Sequence, residues 1–383
     1  MRRRDFIKIG SILAGTAAQQ NVYSSPTNLI RIAEGNIGMD FLHDGLSLSP
    51  KDYATLLMKL ADQGKIKTDN YSNGGIVEEL ENKFAKLFGK EAAVFMPTGT
   101  LANQIAIRHL ANQNKRVVVQ EQSHLLNDTG DCAQTLSGLT LIPVGENEVE
   151  FSLNQLEAIV KKTKSGRVET KIGAISIESP VRRQQDRLVT YSSMKTIADY
   201  ARNNEIKMHL DGARIFVQSV HTNTTPIQYG ELFDTVYTSL YKCFNAASGA
   251  ILVGTKTFTQ NLFHERRMFG GGLPAVWPFA AVALYYADSF IEEYTKAWAK
   301  AESFFLLLKK EERFDITQYE NGSHVVKLIV RNTDHKKFVA ALAKKNILIP
   351  EPGPTGFNLK INPSINFVTA EYLAKQFVDS LNG

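Results

Sequence analysis

Seven short apolar runs alternate with amphipathic segments over much of the chain, and this alternation restricts the possible folds more than any other feature. The runs span residues 92–96, 116–120, 139–144, 172–178, 206–211, 235–240 and 250–253. Runs of this length are typical of parallel strands buried on both faces, because crossover helices cover the two sides of such a sheet. The pattern predicts an α/β fold: a large domain with a mainly parallel seven-stranded sheet covered by helices.

The pattern changes after the triple glycine Gly270-Gly271-Gly272. A long helical stretch over 276–310, interrupted early by Pro278, is expected to connect the large domain to the C-terminal part of the chain. In that part we expect strands near 325–330 and 357–361, helices near 335–345 and 370–381, and a loop at 349–356. The end of the chain is therefore predicted to be a small C-terminal α+β domain.

These changes of pattern divide the chain into five parts. They are a signal segment at 1–20, an N-terminal arm at 21–60, the large domain at 61–270, a connecting helical segment at 271–310 and the small domain at 311–383. No internal repeat or low-complexity tract interrupts this order.

The composition excludes several classes of protein. With 43% apolar and 22% charged residues the chain can bury a sizeable core, which disordered chains cannot. The net charge of +5 is partly concentrated in the first residues, so we expect no nucleic-acid partner. The chain has only two cysteines and neither a CxxC pair nor an HExxH motif, so the sequence predicts neither a disulfide scaffold nor a metal site.

The first residues are typical of a targeting segment. The run Arg3-Arg4-Asp5-Phe6-Ile7-Lys8 resembles the twin-arginine export signal. The apolar stretch after it, 9–18, is shorter than the roughly 20 residues that span a bilayer. We expect the twin-arginine machinery to export the protein to the periplasm or another extracytoplasmic compartment. The alternative is a basic N-terminus on a cytoplasmic protein.

Open parallel sheets bind ligands at the carboxyl ends of their strands, so polar residues directly after each apolar run are the first candidates for a site. Gly99 and Thr100 follow the first run and precede a helix. Backbone amides at a helix N-terminus can hold a phosphate, although Thr and Gly also serve as ordinary caps and turn residues.

A carboxylate ends one later run, and a lysine follows another. Asp211 ends a buried strand and needs a cation or a donor, and Arg214 is a candidate partner. His209 and Asp211 lie on the same side of the strand, but a metal site would lack a third ligand. Lys242 follows the run 235–240, where a lysine can lose its proton and become a nucleophile, although most lysines at strand ends simply reach solvent.

His124, after the run 116–120, places an imidazole near the same edge, where it is either structural or catalytic. A phosphate cradle, a carboxylate, a lysine and an imidazole together meet the needs of pyridoxal phosphate. The aldehyde of this cofactor needs a lysine, its ring nitrogen an acid, its phosphate hydrogen-bond donors, and its ring a stacking partner.

Several motifs, in this order, resemble those of the threonine aldolase and β-eliminating lyase family. They are Asn70-Tyr71, Val77-Glu78-Glu79-Leu80-Glu81, Gly89-Lys90-Glu91-Ala92-Ala93, Pro97-Thr98-Gly99-Thr100-Leu101-Ala102-Asn103, Ser123-His124, His209-Leu210-Asp211-Gly212-Ala213-Arg214 and Gly270-Gly271-Gly272. The resemblance implies an aspartate-aminotransferase-type fold, pyridoxal phosphate bound by the large domain, and a homodimer or homotetramer.

The resemblance also assigns roles to residues. It implies that Lys242 binds the cofactor aldehyde and acts in catalysis, and that Asp211 faces the pyridine nitrogen. It places Arg214 near the phenolic oxygen, Gly99 and Thr100 at the phosphate, and His124 against the ring, where it is also a catalytic candidate. Glu178 takes the acidic position at the end of its strand, among the cofactor-binding residues.

The sequence departs from the family on the substrate side. The family's usual Glu-Asn-Thr-His-Asn is replaced by Glu178-Ser179-Pro180-Val181-Arg182, and the usual arginine after the triple glycine is Pro274. The family's C-terminal Arg-x-Val-Thr-His signature is not recognisable around 359–364. Our hypothesis is that Arg182 binds the substrate carboxylate, because a guanidinium can donate two hydrogen bonds to it. The alternative is a solvated side chain beside Arg183.

The function we expect is that of a pyridoxal-phosphate-dependent lyase, which cleaves a β-hydroxy amino acid into glycine and an aldehyde. One alternative is a β-eliminating lyase that acts on a β-substituted amino acid and releases ammonia and a keto acid. The other is an exported binding protein that has kept the fold without catalytic turnover.

Overall fold

The computed structural model describes residues 38–382, so the predicted signal segment and much of the N-terminal arm lie outside the described residues. The strands are β1 (Met39–Asp40), β2 (Ala92–Met96), β3 (Arg116–Gln120), β4 (Thr140–Val144), β5 (Ile172–Glu178), β6 (Lys207–Asp211), β7 (Thr235–Ser239), β8 (Ala250–Gly254), β9 (Phe314–Gln318), β10 (Val325–Val330), β11 (Ile347–Leu348) and β12 (Phe357–Lys360). Within residues 38–382, no helix combines the length and the apolar character needed to cross a bilayer.

Helices fill most of the intervals between these strands. They are α1 (Pro50–Asp62), α2 (Gly75–Leu87), α3 (Gly99–Ala111), α4 (His124–Asn127), α5 (Cys132–Ser137), α6 (Leu153–Lys164), α7 (Tyr191–Asn203), α8 (Ile215–Thr222), α9 (Pro226–Leu232), α10 (Lys256–Thr259), α11 (Leu262–Met268), α12 (Trp277–Ala287), α13 (Phe290–Leu308), α14 (His335–Ala343) and α15 (Ala370–Asp379). Two 3-10 helices span Arg182–Gln184 and Pro363–Phe367.

The predicted seven-stranded sheet is confirmed, and its strand order is β2-β8-β7-β6-β5-β3-β4. Every neighbouring pair from β7 to β4 is parallel, whereas β8 runs antiparallel to both β2 and β7. The observed strand ends differ from the predicted ones by at most one residue. All residues of β5, β7 and β8 are buried, which explains why these strands are visible in the sequence as continuous apolar runs.

The helical stretch predicted over 276–310 is two helices, α12 and α13, that meet near Asp288 and Ser289. The sequence suggested that Pro278 interrupts a helix, but Pro278 lies in the first turn of α12. A proline is tolerated there because the amide that it lacks would have no partner within the helix.

The C-terminal part has its own antiparallel sheet, in the order β12-β10-β9, and its own apolar core. The sequence predicted β10 and β12 but missed β9 and β11. The short strand β1 pairs with β11, and Phe41 packs between Phe304 and Phe377, so the N-terminal segment joins this core. The five-part division of the chain stays a prediction.

The turn after β7, which carries Lys242, is anchored from two sides. Phe244 packs edge to face against Phe216, with ring centroids 5.0 Å apart, inside the main core. On the other side, the Leu46 amide donates to Asn245 Oδ1 at 2.7 Å. The position of Lys242 is therefore set both by the core and by the N-terminal segment.

Candidate active site

The predicted site residues lie along one edge of the large sheet, at the carboxyl ends of its parallel strands. Glu178 ends β5 and Asp211 ends β6, and the two are direct partners in the register of these strands. Gly99 and Thr100 begin α3 after β2, and Lys242 lies three positions after the end of β7. Open α/β folds bind ligands at an edge of this kind.

The start of α3 presents backbone amides rather than side chains. The Thr98 hydroxyl caps the helix by accepting the Leu101 amide at 3.2 Å. A Cβ atom at Gly99 would collide with the Tyr237 hydroxyl, so this position has no room for a side chain. The first amides of a helix have no acceptor within it, and its dipole favours an anion there. The geometry is that of the predicted phosphate cradle, whose role stays a prediction.

A serine that the sequence analysis missed lies beside this cradle. The Ser239 hydroxyl is buried and lies near the Tyr237 hydroxyl, but it makes no hydrogen bond of good geometry among residues 38–382. Ser239 and Tyr237 lie two positions apart in β7, so their side chains share a face of the sheet. Tyr237 contacts Gly99 from that face, so the Ser239 hydroxyl lies on the side where α3 begins. The sequence could have identified Ser239, because it is a serine at the end of a buried strand, three positions before Lys242.

Asp211 takes its donor from Asn103 and not from Arg214, so the suggested pairing of Asp211 with Arg214 was wrong. The Asn103 amide donates to Asp211 Oδ2 at 2.6 Å, and the Ala213 amide donates to Oδ1 at 3.3 Å. Asn103 lies one turn after Gly99 in α3, on the same side of the helix, and this spacing could have identified it.

Arg214 instead forms a buried cluster with two carboxylates. Its Nε atom lies 3.0 Å from Asp44 Oδ1, and its Nη1 atom lies 3.3 Å from Asp186 Oδ1. Burial alone would lower the pKa of Arg214, but the Asp186 and Asp44 carboxylates raise it well above its usual value. The guanidinium is therefore a permanent cation at the edge of the sheet.

Asp44 joins Arg214 to the C-terminal part of the protein. Its Oδ1 atom also accepts from His324 Nε2 at 2.8 Å and from Lys360 Nζ at 2.9 Å. Burial would raise the pKa of Asp44, but Arg214, the His324 hydrogen bond and Lys360 together hold it well below its usual range. No pattern in the sequence indicated this contact.

Asp44, Asp186 and His324 are the residues of this region that could offer ligands to a metal ion, each with one atom within 4.8 Å of the others. The Arg214 guanidinium already lies between the two carboxylates, and the Lys360 ammonium contacts Asp44 as well. These two cations compensate the carboxylates, so we do not assign a metal to the cluster.

Glu178 holds together the two turns that carry His124 and Arg182. One carboxylate oxygen accepts the His124 amide at 2.5 Å, and the other accepts the Arg182 amide at 2.9 Å. Burial, with a smaller contribution from the nearby Asp211 carboxylate, raises the pKa of Glu178 to about 8. The contacts of Glu178 indicate that it positions its neighbours.

Lys242 differs from an ordinary surface lysine. Its Nζ atom lies 5.5 Å from the centre of the Tyr241 ring. Burial and the Arg214 cation lower the pKa of Lys242 to about 8, against the smaller opposing effects of Asp44, Asp211 and Asp186. A substantial fraction of this amine is therefore unprotonated and nucleophilic slightly above neutral pH.

His124 and Arg182 both lie near Asp128. His124 Nδ1 is 3.4 Å from Asp128 Oδ2, and Arg182 Nη1 is 4.0 Å from the same oxygen. Arg183 makes the closer contact with Asp128, at 2.8 Å. The Arg182 side chain is 55% exposed, so much of it is open to solvent. Its assignment to the substrate carboxylate stays a prediction.

Comparison with protein families finds a match to the beta-eliminating lyase family over residues 58–330. This range includes all of the predicted site residues as well as Asn103 and Ser239. Asp44 and Lys360 lie outside it.

Curated relatives include low-specificity L-threonine aldolases. The chain is 29% identical to that of Candida albicans over 55% of its own length and 56% of the relative's. It is 27% identical to that of Saccharomyces cerevisiae over 60% of its own length and 59% of the relative's. The chain thus spans a little more than half the length of these two relatives.

Solved structures resemble this one over almost the whole chain. A Listeria monocytogenes protein described as an L-allo-threonine aldolase has a TM-score of 0.72 at 24% identity, covering 90% of this chain and 94% of its own. The threonine aldolase of Leishmania major has a TM-score of 0.67 at 15% identity, covering 89% of this chain and 98% of its own. These likenesses confirm the aspartate-aminotransferase-type fold.

We expect the Lys242 amine in the protein without added cofactor to titrate near pH 8, because burial and Arg214 disfavour its charged form. The measurement is the rate at which an amine-specific reagent labels Lys242, followed by mass spectrometry between pH 6 and 11. The control is the urea-unfolded protein, in which a lysine titrates at about 10.4. Identical profiles in the folded and unfolded protein would contradict the expectation.

Proposed function

The chain belongs to the beta-eliminating lyase family, and from this membership we propose that it cleaves a β-hydroxy amino acid into glycine and an aldehyde, as threonine aldolases do. Lyases of this family depend on pyridoxal phosphate. The observation that carries the proposal is the nucleophilic Lys242 amine at the same sheet edge as the buried Asp211 carboxylate.

The residues at the edge of the sheet fit pyridoxal phosphate. Gly99 and Thr100 offer backbone amides to a phosphate. The buried Ser239 hydroxyl lies on the same side of the sheet and makes no hydrogen bond of good geometry among residues 38–382. Asp211 offers a buried carboxylate to the ring nitrogen, and Lys242 offers an amine to the aldehyde. When it is bound, pyridoxal phosphate supplies an aldehyde that bonds to amines and a ring that accepts the electrons of a breaking bond.

Three residues of the chain have separate roles in the reaction. Asp211, kept in place by Asn103, holds a proton on the ring nitrogen, because a close anion stabilises the charged form of a base. Arg214, held between Asp44 and Asp186, supplies a fixed positive charge. The Lys242 amine can accept a proton from the substrate or return one to it.

His124 is the candidate that removes the proton of the substrate's β-hydroxyl group. Its Nδ1 atom faces the Asp128 carboxylate, which favours a proton on that nitrogen and leaves Nε2 as the acceptor. Its backbone is fixed by Glu178, so the ring can also stack against the cofactor from a defined position. Loss of the β-hydroxyl proton and cleavage of the Cα–Cβ bond release an aldehyde, and protonation at Cα then gives glycine.

The products test the proposal directly. With pyridoxal phosphate added, we expect a panel of β-hydroxy amino acids to release glycine and an aldehyde in equal amounts. Lys242→Ala should lower kcat by about 10³-fold or more. Lys256→Ala, at an exposed lysine of α10, is the control and should leave kcat unchanged.

Other products would point to other functions. Release of ammonia and a keto acid from β-substituted amino acids would replace retro-aldol cleavage with β-elimination. A protein that binds the cofactor and the amino acids but releases neither pair of products would be a binding protein.

Arg182 and Arg183 form a matched pair for the carboxylate hypothesis. We expect Arg182→Ala to raise the KM for the amino acid by about 10-fold or more, since a hydrogen bond to a charged group contributes roughly 1.5–3 kcal/mol. Arg183→Ala should change KM little, because Arg183 already pairs with Asp128. Steady-state kinetics of the two variants decide the point, and an unchanged KM in Arg182→Ala would show the assignment to be wrong.

We also propose that the active protein is a homodimer or homotetramer. The exposed apolar side chains of Tyr71 and Met268 lie near the triple glycine, and the Tyr71 amide is bonded to the Pro274 carbonyl. Such side chains are common in interfaces between subunits. Sedimentation equilibrium measures the state, and a monomer at micromolar concentration would contradict the proposal.

The proposed location is extracytoplasmic, by the twin-arginine route, and rests on Arg3 and Arg4 in their sequence context. Replacing both with lysine should retain the protein in the cytoplasm, as cell fractionation would show. The matched control is Arg2→Lys, which leaves the pair intact. Export that survives the double replacement would contradict the proposal.

A further inference from the structure

A series of buried, hydrogen-bonded polar side chains lies behind Asp211, on the side away from the carboxyl ends of the strands. The Asn103 amide nitrogen donates to Asp211 Oδ2 at 2.6 Å, and Asn103 Oδ1 lies 2.9 Å from His209 Nε2. His209 Nδ1 in turn lies 2.8 Å from the Thr235 hydroxyl. His209, Asn103 and Thr235 are each at most 1% exposed, so water does not compete for these hydrogen bonds.

The chemistry of the four groups fixes the direction of every hydrogen bond. Asp211 Oδ2 accepts from the Asn103 NH₂ group, so the Asn103 oxygen is turned toward His209. His209 must then carry its proton on Nε2, because an amide oxygen cannot donate. With the single proton on Nε2, the Nδ1 atom has only a lone pair to offer, so it accepts the Thr235 hydroxyl and does not donate to the Thr235 backbone carbonyl that also lies near the ring.

The imidazole keeps this single proton over the working range of the protein. Burial lowers the pKa of His209 to about 4, against smaller opposing contributions from Asp211 and Thr235. A neutral imidazole has one donor and one acceptor, and both are used here.

We propose that His209 acts through Asn103 as a positioning residue for Asp211, because its Nε2–H group holds the Asn103 amide in the orientation that donates to the carboxylate. Without that donor, the amide could turn over and face the carboxylate with its oxygen. Two acceptors at hydrogen-bond distance repel, so the Asp211 carboxylate would be displaced from its position. The inference rests on the proposed function, since Asp211 has a catalytic task only if it serves the cofactor's ring nitrogen.

Two replacements of His209 separate this role from simple packing. The side-chain nitrogen of glutamine lies three bonds beyond Cβ, as Nε2 of histidine does, whereas that of asparagine lies two bonds beyond Cβ, as Nδ1 does. His209→Gln can therefore donate to Asn103, and His209→Asn can bond only Thr235. Both variants are amides, so they differ mainly in which hydrogen bond survives.

We expect His209→Asn to lower kcat by roughly 10- to 100-fold, the range found for partners that orient the ligands of catalytic metals, with KM changed less than about threefold. The pH dependence of the absorption spectrum of the bound cofactor should also change, because the ring nitrogen would lose its proton more readily. His209→Gln should stay within about threefold of the unsubstituted protein in kcat and keep its spectrum. Equal behaviour of the two variants would overturn the proposal.

A second test uses only the unsubstituted protein, so its result does not depend on whether a variant folds. Nitrogen-15 NMR of labelled histidine, without cofactor, should show His209 protonated on Nε2 and neutral at pH 7, and a proton on Nδ1 would overturn the proposal. If the unsubstituted protein releases neither pair of products, the proposed function fails. If it is active and the two His209 variants behave alike, only this inference fails.

Discussion

A carboxylate buried at the end of a strand must be met by donors or cations, and the whole candidate site is built around this requirement. Asp211, Glu178 and Asp44 are each less than 8% exposed, and an uncompensated charge in such a place would cost several kcal/mol. Asp211 is met by a side-chain amide, and Asp44 by two cations and an imidazole. Glu178 is met by two backbone amides, and its raised pKa also disfavours its charged form. Each carboxylate therefore positions the segment that supplies its donors.

The same requirement connects distant parts of the chain to the reactive amine. Asp44 comes from the N-terminal segment, Arg214 from the turn after β6, and Lys360 from the last strand, yet they meet in one cluster. The Arg214 cation helps to lower the pKa of Lys242, and the Asp44 carboxylate limits that effect. A shift of the C-terminal part against the large sheet would change these distances and, with them, the reactivity of the lysine.

Much of the fold could be predicted because it depends on local patterns. The strands of the large sheet are buried on both faces, and their continuous apolar runs identify them almost to the residue. The strand β9 was missed because only Phe314 and Ile316 are buried there, too few to show a period. The strands β1 and β11 have two residues each and exist only because they pair with one another.

The sequence by itself determined the sheet and the side chains that reach its edge, because a parallel α/β sheet requires the carboxyl ends of its strands to meet there. It thereby identified Gly99, His124, Glu178, Asp211 and Lys242 as neighbours. Only the tertiary structure decided how these groups are paired: Asn103 bonds Asp211 across 108 positions, and Lys360 bonds Asp44 across 316. Hydrogen bonds and ion pairs depend on distances of a few ångströms between segments far apart in the chain, and only the packing of the whole molecule sets those distances.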